Sequence, residues 1–168
     1  MILESSGRKM PDLNEVNRHR YLLVTYAEWC CHHKSGINYA ETRPIPLNTK
    51  PWSQSFTTDC SGFVTLMAKW AGIPDPNGLN YDGQGYTGTL LAHLPQIPLN
   101  QTWRGDLVVW GPAPGVHVAM LLEGGVRVGN NPQVASHGSQ GAPFQLTLDE
   151  ESAYHQGQPR TFLRIIPN

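Results

Sequence analysis

The sequence of 168 residues is short of charge, of cysteine and of long apolar runs. Charged side chains make up 15% of it and hydrophobic ones 39%, which excludes a chain kept unfolded by its own charge. Twelve basic side chains oppose thirteen acidic ones, so no global field draws the protein to nucleic acid or an anionic membrane. No stretch approaches the roughly 18 consecutive apolar residues that a membrane span needs. The N-terminal segment from Met1 to Lys9 lacks the apolar core of a secretory leader. Cys30, Cys31 and Cys60 form an odd set with two neighbours adjacent, a poor disulfide framework. They point to a reducing compartment during synthesis, with at least one thiol free for another purpose. There is no internal repeat and no low-complexity linker.

What is present is enough for one domain with its own core. Residues 1–12 read as an N-terminal extension and 13–168 as a single domain. Leu13 to about Lys34 is helical by period, with Val16, Val24 and Trp29 on one stripe and Asp12 as its N-cap. Pro44, Pro46 and Pro51 mark an irregular loop. A second helix is predicted from Cys60 to Ala71, capped by Asp59, striped by Phe63, Val64, Met67 and Trp70, and stopped by Gly72. A short helix is expected around Gly88 to Leu94. Thereafter short apolar runs are divided by Gly and Pro: Asp106–Trp110, His117–Leu122, Val126–Val128, Gln133–His137, Phe144–Leu148 and Phe162–Ile166. They predict an antiparallel meander, and helices followed by strands make the fold class α+β.

Three features carry chemistry. Cys60 sits in the first turn of the second helix, where unpaired N–H groups and the helix dipole favour a nucleophilic sulfur. Ser61 and Gly62 are small and leave it accessible. His117 opens an apolar strand, where an imidazole needs partners for its ring nitrogens, and a thiol is one natural partner. His137 ends a further strand and is a candidate to orient His117. Cys30-Cys31-His32-His33 has the composition of a metal site. Four consecutive helical residues point in four directions, however, and zinc pairs need a wider spacing. Among the tryptophans, Trp70 and Trp110 suit a core, whereas Trp52 and Trp103 fall in loops and are candidates to line a cleft.

Asp59-Cys60-Ser61-Gly62-Phe63-Val64, with Gly105-Asp106-Leu107-Val108 and His117-Val118-Ala119-Met120, resembles the NlpC/P60 cysteine peptidases, papain-like hydrolases of bacterial peptidoglycan. The resemblance spans roughly residues 13–166. It implies a papain-like α+β fold with Cys60 as nucleophile, His117 as general base and His137 as the orienting third residue. It also implies Tyr39 near the oxyanion, and Asp59 and Ser61 as contacts for the stem peptide's free amine. No metal or organic cofactor is implied. The stretches from Tyr39 to Cys60 and from His117 to His137 are longer than the family's usual pattern. Related CHAP amidases place a carboxylate or Asn third, and Glu123 and Asn130 are the candidates for that variant.

The activity so implied is hydrolysis of a stem-peptide amide, at a D-glutamyl–diamino acid bond. The alternatives are a CHAP-like N-acetylmuramoyl-L-alanine amidase and a catalytically silent wall-binding or phage-tail module. The expected partner is peptidoglycan, with no nucleic acid, no membrane insertion, and any wall-binding domain on a longer chain. The segment Ser136-His137-Gly138-Ser139-Gln140-Gly141-Ala142-Pro143 is similar to variants in bacteriophage lysins. With no leader visible, the expectation is synthesis in a host cytoplasm. Action on the wall would follow release through a membrane lesion, or delivery as a virion-borne or secreted effector.

Overall fold

A computed structural model describes residues 12–167. Of the expected N-terminal extension, residues 1–11 therefore lie outside the described residues. Asp12 belongs to the first helix, α1 (Leu13–His32), as its N-cap, its carboxylate accepting from Asn14 N at 2.9 Å. Val16, Leu23, Ala27 and Cys30 turn one side of α1 inward. A short strand β1 (Ile37–Tyr39) pairs in parallel with β2 (Phe56–Thr58), and neither strand is signalled by its sequence. Helix α2 (Cys60–Ala71) has the predicted bounds. Asp59 Oδ1 accepts from Gly62 N at 2.6 Å at one end, and Gly72, at φ 75°, closes the other in the left-handed region that glycine tolerates. Almost every residue of α2 is buried, because it lies between α1 and the sheet.

After α3 (Thr87–His93) come β3 (Gln96–Ile97), β4 (Leu107–Trp110), β5 (His117–Leu121), β6 (Gln133–Ser136), β7 (Phe144–Thr147), α4 (Leu148–Tyr154) and β8 (Arg160–Leu163). The sheet order is β3-β8-β4-β5-β6-β7, antiparallel throughout. The expected meander is β4 to β7, and β8 returns to its far side. Val126–Val128, expected as a strand, belongs to a 3-10 turn instead. Gly124, Gly125 and Gly129 confine it, with Gly129 at φ 63°. Helix α4 replaces loop where no helix is expected.

Strand alternation gives the sheet two apolar faces. Leu107, Val109, Val118, Met120 and Ala135 pack with α1 and α2 in the larger core. Val108, Trp110, Ala119, Leu121 and Val134 pack with Leu148 of α4 in a smaller one. Asp106 ties the helices to the sheet. Its carboxylate meets Arg20 of α1 at 3.0 Å and Arg164 at 3.2 Å, and accepts from Trp103 N at 2.9 Å and Ile165 N at 3.3 Å. Arg20 also donates to Ile166 O. These bonds draw Ile165 and Ile166 out of line, so β8 ends before the predicted strand does.

Candidate active site

Cys60 is the first residue of α2, and His117 the first of β5. Packing of α2 on β5 brings these two ends together, with the Cys60 sulfur beside the His117 ring. The ring is buried. Burial acts to lower its pKa, but the hydrogen bonds and charges of Cys60 and Glu151 outweigh it and raise the value from 6.5 to about 9. His117 Nε2 lies 2.8 Å from Ser136 Oγ and 2.8 Å from Glu151 Oε1, so Nδ1 is the ring nitrogen not engaged by them. Ser136 Oγ donates to the same Glu151 oxygen at 2.7 Å. Burial pushes the Glu151 carboxyl up, and the bonds from His117 and Ser136 hold it below its ordinary value.

Glu151 is the group that sequence reasoning missed. It sits on α4, on the far face of the sheet from α2. A signal for that helix exists: Thr147 and Glu150 have capping-box spacing, and the structure forms the box.

His137 does not occupy the position expected of it beside His117. Strand pairing sets Ala119 opposite Ser136, so Ser136 shares the face of Ala119 and His117. His137 falls one residue later and points to the opposite face, since a shift of one residue reverses a side chain. There its Nδ1 lies 3.2 Å from Thr58 Oγ1, between the rings of Tyr39 and Phe63 at 5.5 Å from each. Burial lowers its pKa to about 4. Glu123 and Asn130 do not approach His117 either. Glu123 accepts from Gln133 N at 3.1 Å in the β5–β6 connection, and Asn130 follows the 3-10 turn at φ 63°.

Tyr39 stands beside Cys60 despite the long intervening loop. Its strand partner is Thr58, two residues before the cysteine. Its hydroxyl pKa is raised, by burial first and then by the nearby Cys60 and Glu41. Asp59 and Ser61 line the same cleft, of about 350 Å³, with Cys60, Arg43 and Tyr86. The Asp59 carboxylate is engaged: Oδ1 accepts from Gly62 N and Ser61 Oγ, and Oδ2 meets Arg43 at 2.9 Å. Arg43 also donates to Ser61 Oγ at 2.9 Å. Trp52 and Trp103 are exposed but do not line this cleft.

Cys30 and Cys31 are buried among apolar side chains, and burial pushes both thiols up to about 12. His32 and His33 are exposed beside them, and these four residues do not converge on a point.

The arrangement holds a sulfur at a helix N-terminus, an imidazole against it, and a carboxylate behind the imidazole. It can remove a proton from the thiol, present the thiolate to an electrophilic carbon and return the proton to a leaving group. Cys60 N–H is among the helix-start donors without an intrahelical partner, since Asp59 takes the Gly62 and Phe63 donors.

Solved structures share this fold across nearly the whole chain. The peptidoglycan hydrolase RipB from Mycobacterium tuberculosis is 20% identical, with 96% of this chain and 76% of that one covered and a TM-score of 0.57. A hypothetical invasion protein of Mycobacterium tuberculosis is 17% identical over 97% of this chain and 69% of its own, at 0.61. The P60 domain of a Mycobacterium avium subspecies paratuberculosis antigen is 22% identical over 89% and 99%, at 0.54. No family model and no curated protein sequence matches the chain. The chain has the α+β fold of NlpC/P60 domains.

Proposed function

We propose that the protein is a cysteine peptidase of the NlpC/P60 kind that hydrolyses an amide in the stem peptide of bacterial peptidoglycan. The observation that carries this reading is the line Cys60–His117–Glu151, with His117 held between thiol and carboxylate at a pKa near 9. At neutral pH the imidazole is thereby kept as the cationic partner of the sulfur.

The proton of the Cys60–His117 pair rests on His117 Nδ1, and the sulfur attacks the amide carbon. The C=O electrons move to oxygen, which Cys60 N–H and the Tyr39 hydroxyl stabilise. The oxyanion collapses, the C–N bond breaks, and His117 returns the proton to the departing amine. Water, deprotonated by His117, then attacks the thioester. Its C–S bond breaks, releasing a carboxylic acid and restoring the thiol. Glu151 holds the ring's orientation and tautomer, and Ser136 braces both groups.

The bond proposed is the D-glutamyl–diamino acid link. Asp59 and Ser61 are proposed to contact the peptide on the amine side, with Arg43 shaping that subsite. A carboxylate as the third group is also the pattern of CHAP amidases, so Glu151 favours a second reading, cleavage between muramic acid and alanine. Digestion of purified peptidoglycan with mass spectrometry of the products tests both. Free diamino-acid amines appear in the first case and lactyl carboxylates in the second. No release of either by wild-type protein, with Cys60→Ala as baseline, removes the hydrolase reading. Delivery to the wall is proposed to follow a membrane lesion or transport as a virion-borne or secreted effector, as in phage lysins.

A further inference from the structure

We infer that His117, Glu151 and His155 form a binding site for a zinc-class divalent ion that switches the proposed hydrolase off. The inhibitory part of this inference rests on the function proposed above, whereas the binding does not. Among the described residues this is the one group of three ligating side chains whose donor atoms all lie within 4.8 Å of one another.

Glu151 Oε1 is crowded, receiving Ser136 at 2.7 Å, His117 Nε2 at 2.8 Å and His155 Nε2 at 3.4 Å. Glu151 Oε2 is buried and has no hydrogen-bond partner, a costly state for a carboxylate oxygen. An ion between the two imidazoles would use it. Glu151 lies on α4 and His155 is the residue that caps its C-terminal end, four positions on, which sets His155 Nε2 3.4 Å from Glu151 Oε1, and the His117 and His155 rings stack with centroids 4.7 Å apart. Ligand atoms about 3.3 Å apart suit a tetrahedral ion bonded at roughly 2.0–2.1 Å, so shifts of about an ångström complete the set. Two imidazoles and one carboxylate select zinc-class ions over magnesium or calcium. The half-buried His155 side chain is the approach from solvent.

On binding, His117 releases its Nε2 proton and that nitrogen bonds the ion. Glu151 turns from the imidazole to the metal, and a water fills the fourth position. No oxidation or reduction is involved. His117 loses the carboxylate contact that orients it and can no longer cycle a proton with Cys60.

The test is isothermal titration of the metal-stripped full chain with zinc chloride, alongside peptidoglycan hydrolysis with and without zinc. One ion per chain is expected for wild type and for Cys60→Ala, with affinity at least tenfold weaker in His155→Ala. His155→Ala, scored against its own zinc-free rate, should lose inhibition by zinc. A thermal melt checks its folding, and His155→Gln replaces it should it fail to fold. Unchanged affinity in the His155 variants, absence of binding in wild type, or binding lost only in Cys60→Ala (capture by the nucleophile itself) each overturns the site. Stoichiometric binding that depends on His155, in a protein that hydrolyses no peptidoglycan, leaves the metal site standing and removes the hydrolase reading.

Discussion

At the scale of single residues, the pairing of Cys60 and His117 and the position of Tyr39 follow from side-chain chemistry and the elements that begin or end there. Cys60→Ala is expected to abolish hydrolysis while preserving the fold. Cys30→Ala and Cys31→Ala should retain most turnover, because both thiols are buried and pushed up to about 12; peptidoglycan turbidity assays on the three variants check this. Glu151→Gln keeps the shape and removes the charge, so kcat should fall on the order of 10⁴-fold, as when a triad's orienting carboxylate is neutralised. His137→Ala measured on the same substrate should fall less, with the deficit in thermal stability. A near-normal Glu151→Gln beside an inactive His137→Ala would return the orienting role to His137. The titration of His117 has a defined sign. Its folded pKa, raised from 6.5 to about 9, contributes stability that is fully present below pH 6.5 and is lost as pH rises through 9. Denaturant midpoints from pH 6 to 10 should show that decline in wild type and a smaller one in Glu151→Gln.

At the scale of elements, what could be read in advance depended on how local the signal was. Helix α2 was legible to its end residues because its apolar stripe lies within it and its caps, Asp59 and Gly72, directly flank it. Strands β4 and β5 were legible from their apolar runs and the Gly/Pro turn between them. Strands β1 and β2 were not, since each has three residues and exists only by pairing with the other across a long loop. The side chain that faces His117 was not legible because the register of β6 on β5 decides whether Ser136 or His137 turns to it, and no local pattern encodes that pairing. Helix α4 was the costliest omission, since it carries Glu151. Its capping box offers a direct test. Thr147→Ala should destabilise the protein by about 1 kcal/mol. Because α4 holds the carboxylate against His117, kcat should drop while KM changes little. An unchanged kcat in a destabilised Thr147→Ala would show that α4 does not transmit its position to the ring.

At the scale of the whole molecule, Asp106 is the joint between helices, sheet and C-terminal segment. It is fully buried, and both of its arginine partners are buried as well. Asp106→Ala strands two cations and should destabilise the fold by about 3–5 kcal/mol, measured by urea denaturation. A loss under 1 kcal/mol would mean that Arg20 and Arg164 find other partners. Acid acts through a different group. His137 is held neutral in the fold, with its pKa lowered from 6.5 to about 4 by burial, so the unfolded chain binds more protons between those values. Stability should fall as pH drops from 6.5 through 4, and His137→Gln should flatten that limb.

The pairing of Ala119 with Ser136 makes the site depend on an odd–even count. Loss of one residue from the connection between β5 and β6, absorbed by sliding β6 along β5, would exchange Ser136 for His137 on the face of His117. The dipeptide thus spells two alternative neighbours for one ring, a hydroxyl that shares the Glu151 carboxylate with it or a second imidazole, separated by a single codon deletion.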